Sequence, residues 1–204
     1  ASTIPKVSPV ALVDMARVQA ALEKLVATID VDKAWESPEA TRLDDISFGE
    51  WLDQKHALSA TRALMTVVSK VQWGCTPGDV SLLHALRYIR AAGGVDHMLD
   101  VEGGQQQERY LQTTQEIAKR LADQLGDSVV LGAPVRRITQ DDEGVTVHTD
   151  TEVISASYAI VTAAPSHRAD IEFEPSLPEA AEGLARSWRM GVLSKAFVAY
   201  DKPF

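Results

Sequence analysis

The first ninety residues place apolar side chains at intervals of three and four, which is the spacing of amphipathic helices. Ser8-Pro9 can begin the first helix, because serine caps a helix amino terminus and proline fits the first turn, and the pattern continues to about Ile29. Ser47 and Glu50 have the spacing of a capping box, which predicts a short helix there. A further amphipathic helix is predicted over Ala60–Val71, so this part of the chain is almost entirely helical.

The stretch Val80–Tyr110 organises the chain. It contains a buried helix that ends at Gly93-Gly94, a short apolar run and a second glycine pair, Gly103-Gly104. Glycine tolerates the left-handed backbone of a helix end and lets the main chain approach other groups closely. The polar run that follows, Gln105–Arg109, carries three amide side chains. Because amides both donate and accept hydrogen bonds, we expect this run to orient a small polar ligand.

After residue 109 the apolar spacing changes to that of strands. Two elements are still helical: a capping-box spacing over Thr113–Glu116 predicts a helix with its apolar side chains inward, and Pro178-Glu179 predicts a last helix. An acidic turn over residues 141–144 predicts a hairpin. The most apolar strand, Ala156–Val161, suits the centre of a parallel sheet. The predicted strands are Val129–Leu131, Pro134–Thr139, Val145–Thr149, Thr151–Ser155, Ala156–Val161 and Leu193–Tyr200.

Composition excludes several classes of protein. The chain has 204 residues, enough for one large or two small domains, and its net charge of −9 argues against nucleic-acid binding, which needs a basic surface. It has no apolar run near the length of about 18 residues that spans a membrane, and its start is not signal-like. The single cysteine, Cys75, fits a reducing compartment. The five histidines lack metal-site spacing. We expect a cytoplasmic protein without a metal, nucleic-acid or membrane partner.

From Trp35 to Phe204 the motifs resemble, in order, the middle of the flavin-containing monoamine oxidase family. The family's amino-terminal G-x-G-x-x-G turn, which receives the FAD pyrophosphate, and its carboxyl-terminal part have no counterpart here. The chain alone is therefore expected to be inactive and not to hold FAD tightly. The matching pieces include Asp79–His84, Glu102–Arg109, Gly126–Leu131, Ala163–Pro165, Ile171–Pro175 and Gly191–Lys195.

The resemblance implies an α+β or α/β fold made of parts of two domains. Residues 1–110 would be the helical portion of a substrate domain. Residues 111–185 would be the middle of an FAD-binding domain, with a βαβ unit and a β-hairpin, and residues 186–204 a strand returning to the substrate domain. The expected macromolecular partners are the remaining segments of the enzyme or further copies in a homo-oligomer.

Lys195 is the one residue for which the resemblance implies a catalytic role. Strand alternation would place it on one face with Leu193 and Phe197. The matching family lysine holds a water beside flavin N5, where a cation can organise the water and stabilise charge on the reduced cofactor. Without the resemblance, Lys195 would be a lysine that extends its apolar stem along an edge strand.

The remaining candidate residues also follow from the resemblance. Gln106 is the best match to the glutamine beside the substrate, although Gln105 and Gln107 leave the register open by one. Val135 matches a backbone contact with the adenine end of FAD, and Ala163 a small residue near the cofactor; both can equally be ordinary core or turn residues. The substrate cavity would be lined by a stripe that can also be plain core. Its members are Leu64, Val67, Val68, Val71 and Gln72.

The activity implied is the oxidation of a primary amine to an imine by an FAD enzyme. The imine then hydrolyses to an aldehyde and ammonia, and oxygen is reduced to hydrogen peroxide. The aliphatic stripe favours an amine with an apolar body. An L-amino-acid oxidase or a polyamine oxidase is an alternative, distinguished by an arginine or a carboxylate in the pocket. A non-catalytic fragment or subunit that binds a partner chain and no FAD is another, supported by the missing FAD turn.

Overall fold

The computed structural model describes residues 7–202, which form two compact units. Of the described residues, the helical unit comprises residues 7–109 and 191–202, and the sheet unit comprises Tyr110–Met190. The outermost residues of the predicted segments 1–110 and 186–204, namely residues 1–6 and 203–204, lie outside the described residues. The combination of a helical unit with a small mixed sheet confirms the predicted α+β class.

Local capping signals set where the first helices begin. Ser8 caps the first helix by accepting a hydrogen bond from the backbone N–H of Ala11 at 3.3 Å. Ser47 and Glu50 form the predicted capping box, each side chain bonding to the other's backbone N–H. The helices of this unit are α1 (Pro9–Val26), α2 (Ala40–Asp44), α3 (Phe48–Gln54), α4 (Ser59–Trp73), α5 (Leu82–Ala91) and α6 (Val95–Leu99).

The core of the helical unit is one continuous cluster of apolar side chains from these helices. The starts of α3 and α5 are tied by two backbone hydrogen bonds, from Phe48 N–H to Val80 O at 2.9 Å and from Leu82 N–H to Ile46 O at 2.8 Å. This pairing holds the starts of the two helices side by side. The largest fully buried apolar side chains are Phe48, Leu22, Leu52, Leu82, Leu86, Ile89, Met98 and Val18.

One carboxylate, Asp14 on α1, is buried at the edge of this core. Its side chain accepts hydrogen bonds from the Thr61 hydroxyl at 2.5 Å, from Arg17 Nη2 at 2.6 Å and from the Leu58 N–H at 2.8 Å. These donors favour the charged form and lower the pKa of Asp14 from 3.8 to about 2. The carboxylate therefore links α1 to the start of α4.

Asp14→Asn should destabilise the protein at neutral pH, because the amide cannot accept all of these hydrogen bonds. The folded-state pKa lies below the unfolded value, so the contribution of Asp14 is complete above pH 4 and is lost as the pH falls toward 2. Urea unfolding of both proteins should therefore differ at pH 7 and converge near pH 2. Asp32→Asn, at an exposed position, is the control. A pH-independent difference would contradict this account.

The sheet unit is built on a four-stranded sheet of order β3-β2-β1-β4, in which β1 and β4 are parallel and the other pairs antiparallel. The predicted hairpin is confirmed: Asp141 Oδ1 accepts hydrogen bonds from the backbone N–H groups of Glu143 and Gly144 in its turn. The strand predicted over Thr151–Ser155 and the helix predicted from Pro178-Glu179 are also present. The elements are α7 (Gln115–Leu125), β1 (Val135–Gln140), β2 (Val145–Thr149), β3 (Val153–Ala156), α8 (Pro165–Arg168), β4 (Glu172–Glu174) and α9 (Glu179–Ser187).

Three predicted strands are wrong. Val129–Leu131 and Leu193–Tyr200 have no regular structure, and of Ala156–Val161 only the first residue belongs to a strand. These segments are exposed; Ile160 is 90% and Phe197 91% exposed. A strand forms only where a neighbour completes its hydrogen-bond ladder, and within residues 7–202 no strand pairs with residues 129–131, 157–161 or 193–200. Conversely, the sequence did not predict β4, because three residues are too few to show the alternation of a strand.

The predicted helix after residue 113 is present as α7, but two of its expected features are wrong. Thr113, the predicted cap, has φ +69° and not the extended conformation of a cap. The residue before the helix, Thr114, is already helical and makes no side-chain capping bond. The apolar face of α7 does not point inward either. Its side chains Ile117, Leu121 and Leu125 are 46 to 61% exposed.

Candidate functional site

The exposed face of α4 carries three of the five predicted cavity residues. Leu64, Val67 and Val71 are spaced three and four residues apart, and the two valines are each 59% exposed. Val68, by contrast, lies in the core of the helical unit and is only 8% exposed. One residue of helix turns a side chain by about 100°, so Val68 cannot share the face of its neighbour Val67. We call the exposed set, Leu64, Val67 and Val71, the α4 face.

Polar and aromatic groups lie at the carboxyl end of the α4 face. Gln72 is half-buried, and its Oε1 accepts a hydrogen bond from the Tyr88 hydroxyl at 3.4 Å. The ring of Trp73 packs edge-on against that of Tyr88, with centroids 5.8 Å apart. The contact with Tyr88 was missed from the sequence, because a tyrosine within an apolar helical pattern reads as core; the position of its hydroxyl close to α4 depends on the packing of α5.

The segment that bears Lys195 begins at the end of α4. The helix ends at Gly74, which has φ +65°, and Gly74 O accepts a hydrogen bond from the Val192 N–H at 2.7 Å. Lys195 follows three residues later and is exposed. Three residues span at most about 10 Å, so the helical unit keeps Lys195 near the end of the α4 face. Lys195 and the α4 face were predicted to serve one site, and this hydrogen bond joins the end of α4 to the backbone three residues before Lys195.

The glutamine run lies in an exposed loop of the helical unit. A Cβ on Gly104 would lie only 2.3 Å from Asp100 O, so the close approach predicted for this glycine is to the chain's own backbone. Gln107 Oε1 accepts a hydrogen bond from the Gly103 N–H at 2.7 Å, which engages that side chain in the loop. Gln106 is exposed. This arrangement leaves Gln105 and Gln106 as the amides whose side chains can face a ligand.

Val135 and Ala163, two of the three predicted cofactor contacts, line one groove of the sheet unit, while the third, Lys195, belongs to the helical unit. The groove has a volume of about 420 Å³, and its wall includes Ile138 and Val147 of the sheet. A β-bulge between Val135 and Arg137 interrupts the alternation of β1. Strict alternation would put Val135 and Ile138 on opposite faces of the sheet. The bulge places them on the same side. The site residues therefore fall into two groups, one in each unit.

Burial and nearby charges keep two groups of the helical unit, Cys75 and His84, in their uncharged forms at neutral pH. Burial, with a smaller effect of the Asp79 charge, raises the pKa of the Cys75 thiol, so it is protonated at neutral pH. Partial burial and the charge of Arg87 lower the pKa of the His84 imidazole, which is then neutral. No group of three metal-ligating side chains occurs among residues 7–202. Nor does any helix of that range have the length and apolar content to cross a bilayer.

The groove fits part of FAD. Its aliphatic wall and the small side chain of Ala163 can accept a flat ring system. The arginine that lines the groove, Arg136, is not available to bind the FAD pyrophosphate. It already donates two hydrogen bonds of 2.7 and 2.8 Å to Asp150. The sequence has no G-x-G-x-x-G turn to take that role. The residues present thus suit one end of the cofactor.

Comparison with known proteins places this arrangement among flavoenzymes. The profile of the family described as flavin containing amine oxidoreductase matches residues 2–204. AofH of Mycobacterium tuberculosis, which is assigned to the flavin-containing monoamine oxidases, is 47% identical over 99% of this chain and 44% of its own length. The flavin-containing amine oxidase B of Canis lupus familiaris is 28% identical over 98% of the chain and 39% of its own length.

Solved structures of two amine oxidases share the fold. Wild-type putrescine oxidase bound to putrescine superposes with a TM-score of 0.76 at 25% identity, covering 91% of this chain and 42% of that one. Cyclohexylamine oxidase from Brevibacterium oxydans gives a TM-score of 0.76 at 26% identity, covering 91% and 40%. The chain spans less than half the length of each of these proteins.

Proposed function

Because the chain belongs to the family of flavin containing amine oxidoreductases, we propose that it supplies the amine-binding face and part of the FAD site of an enzyme that oxidises a primary amine with an apolar body. The observation that carries the proposal is the 2.7 Å hydrogen bond between Val192 N–H and Gly74 O. It holds the start of the Lys195 segment at the end of the α4 face, where an apolar surface and a cation can serve one substrate.

The reaction converts an amine R–CH₂–NH₂ and oxygen to an imine R–CH=NH and hydrogen peroxide. The amine loses two electrons and two protons, which are those that reduce oxygen, and water then cleaves the imine to an aldehyde and ammonia. When bound, FAD supplies the electron acceptor for the amine and the donor for oxygen. The protein contributes orientation, exclusion of water and fixed charge.

Each candidate residue has a distinct role in this proposal. The α4 face binds the apolar body of the amine and keeps water from it, while Gln72 and Gln106 orient the polar end through their amides. Lys195 holds a water and stabilises negative charge that develops close by. Val135 and Ala163 contact FAD in the sheet unit. In this assignment residues 1–110 and 186–204 are parts of the substrate domain and residues 111–185 part of the FAD-binding domain.

The apolar α4 face also favours one class of amine over the others. A diamine or polyamine carries a second cation, which calls for a carboxylate in the cavity. An amino acid carries a carboxylate, which calls for an arginine. Leu64, Val67 and Val71 offer neither group, so a monoamine is favoured over the putrescine that one structural relative binds.

Val67→Asp tests this choice in the complete, FAD-loaded enzyme. A carboxylate at this point should penalise the apolar body of a monoamine and lower kcat/KM by about 10- to 100-fold, mainly through KM. The relative rate with a diamine should rise, since the new charge can bind its second ammonium. Steady-state kinetics with an arylalkyl monoamine, putrescine and an L-amino acid measure both effects.

The matched control is Val13→Asp, which introduces the same change at an exposed valine of α1 outside the site. It should leave kcat/KM unchanged for each of the three substrates. Equal kcat/KM values for Val67→Asp and the parent enzyme would show that the α4 face does not contact the amine.

A further inference from the structure

Gly74 and Gly191, far apart in the chain, are in direct backbone contact within the helical unit. A Cβ built on Gly74 would lie 2.7 Å from Gly191 Cα, and one built on Gly191 would lie 3.1 Å from Gly74 Cα. Both distances are to backbone atoms, which cannot rotate away as a flexible side chain would. The contact is closed by the hydrogen bond from Val192 N–H to Gly74 O. Neither position can gain a side chain without moving the segment.

The contact also requires the left-handed backbone conformation of Gly74. This residue ends α4 in the left-handed conformation, with φ +65°, and its own N–H donates to Lys70 O at 3.1 Å. The turn directs the Gly74 carbonyl toward Val192 instead of along the helix axis. Helix termination and anchoring of the 191–195 segment therefore depend on the same residue.

We propose that Gly74 and Gly191 are positioning residues for Lys195. This inference rests on the proposed function, since it assigns their purpose through the lysine. The segment after Val192 forms no strand, and the bond from Val192 N–H to Gly74 O ties the backbone that leads to Lys195 to the end of α4. An error of 1 Å in the position of a catalytic group can cost about 100-fold in rate.

Two variants of the complete FAD-loaded enzyme distinguish the effect of a steric clash from that of backbone strain. They are Gly191→Ala and Gly126→Ala. Gly191 has no left-handed φ, so its alanine variant adds the clash alone. Gly126 ends α7 with φ +55° and open space around it, so its variant adds the strain alone. We expect Gly191→Ala to slow the half-reaction that depends on Lys195 by about 10-fold or more, and Gly126→Ala to leave it unchanged.

Two further readouts identify the route of the effect. Amide hydrogen exchange at Val192 should accelerate in Gly191→Ala and not in Gly126→Ala, because only the former breaks the bond to Gly74. In a Lys195→Met background, Gly191→Ala should cause no further loss of rate, since the lysine on which it acts is gone. Three results would each overturn the positioning role. They are additive losses of rate in the double variant, unchanged amide exchange at Val192 in Gly191→Ala, and loss of bound FAD from Gly191→Ala alone.

The outcomes also separate this inference from the proposed function. If Lys195→Met slows a half-reaction and Gly191→Ala does not, the glycines are not positioning residues and the role of the lysine stands. If Lys195→Met changes neither half-reaction, the role of the lysine fails and the positioning inference fails with it.

Discussion

Lys195→Met should slow one of the two half-reactions of the complete, FAD-loaded enzyme by roughly 100-fold, the cost of removing one preorganised charge from a reacting centre. Methionine has a similar length and removes only the cation. Anaerobic mixing with amine, followed by flavin absorbance, measures the oxidation of the amine. Mixing the reduced enzyme with oxygen measures the second half-reaction. The variant should retain FAD, because the groove lined by Val135 and Ala163 keeps all of its side chains.

Two variants sharpen this experiment. Lys202→Met changes an exposed lysine of the same segment and should leave both half-reactions unchanged. Lys195→Arg keeps the charge but spreads it over a larger group, so we expect partial recovery. If Lys195→Met had the rates of the parent enzyme in both half-reactions, Lys195 would have no part in the chemistry.

Phe48→Ala should lower the free energy of unfolding by about 3–5 kcal/mol, the usual cost of emptying a phenylalanine site in a well-packed core. Phe48 is 1% exposed, stacks on Trp51 at 5.9 Å between ring centroids and meets the edge of Trp73 at 6.1 Å. Its N–H also closes the backbone pairing with Val80. Urea unfolding followed by tryptophan fluorescence measures the loss, because two of its neighbours are tryptophans.

Val13→Ala, at a valine of α1 that is 70% exposed, is the control and should change the free energy of unfolding by about 0.5 kcal/mol or less. A loss below about 1 kcal/mol for Phe48→Ala would mean that the core can collapse around the cavity. The aromatic contacts would then contribute little to holding Trp73 at the end of α4.

Signals carried by neighbouring residues predicted the helices well. Ser8 and the Ser47–Glu50 box each fix a helix start within four residues of chain, so the sequence alone contains the whole cause. Strands depend on partners that local sequence does not contain, which is why Ala156–Val161 reads as a central strand and is largely unpaired. The capping box at Thr113 failed because Thr113 itself has a left-handed backbone, with φ +69°, and spacing does not reveal φ.

The candidate site was predictable to a similar degree. The family resemblance is confirmed, and helical spacing identified the α4 face, but it could not assign Val68 to the core because Val67 and Val68 have the same chemistry. The contact between Gly74 and Gly191 joins distant parts of the chain. Each glycine alone reads as an ordinary turn, so only the fold reveals their proximity.

The bulge in β1 makes the groove depend on the number of residues in the strand more than on their identity. Val135 faces the groove because one extra residue lies between its pairing with Thr149 and that of Arg137 with His148. Substitutions along β1 leave this count intact, whereas a single insertion or deletion between Val135 and Ile138 would rotate Val135 to the opposite face. Relatives that keep the groove should accordingly vary in the side chains of this strand while preserving its length.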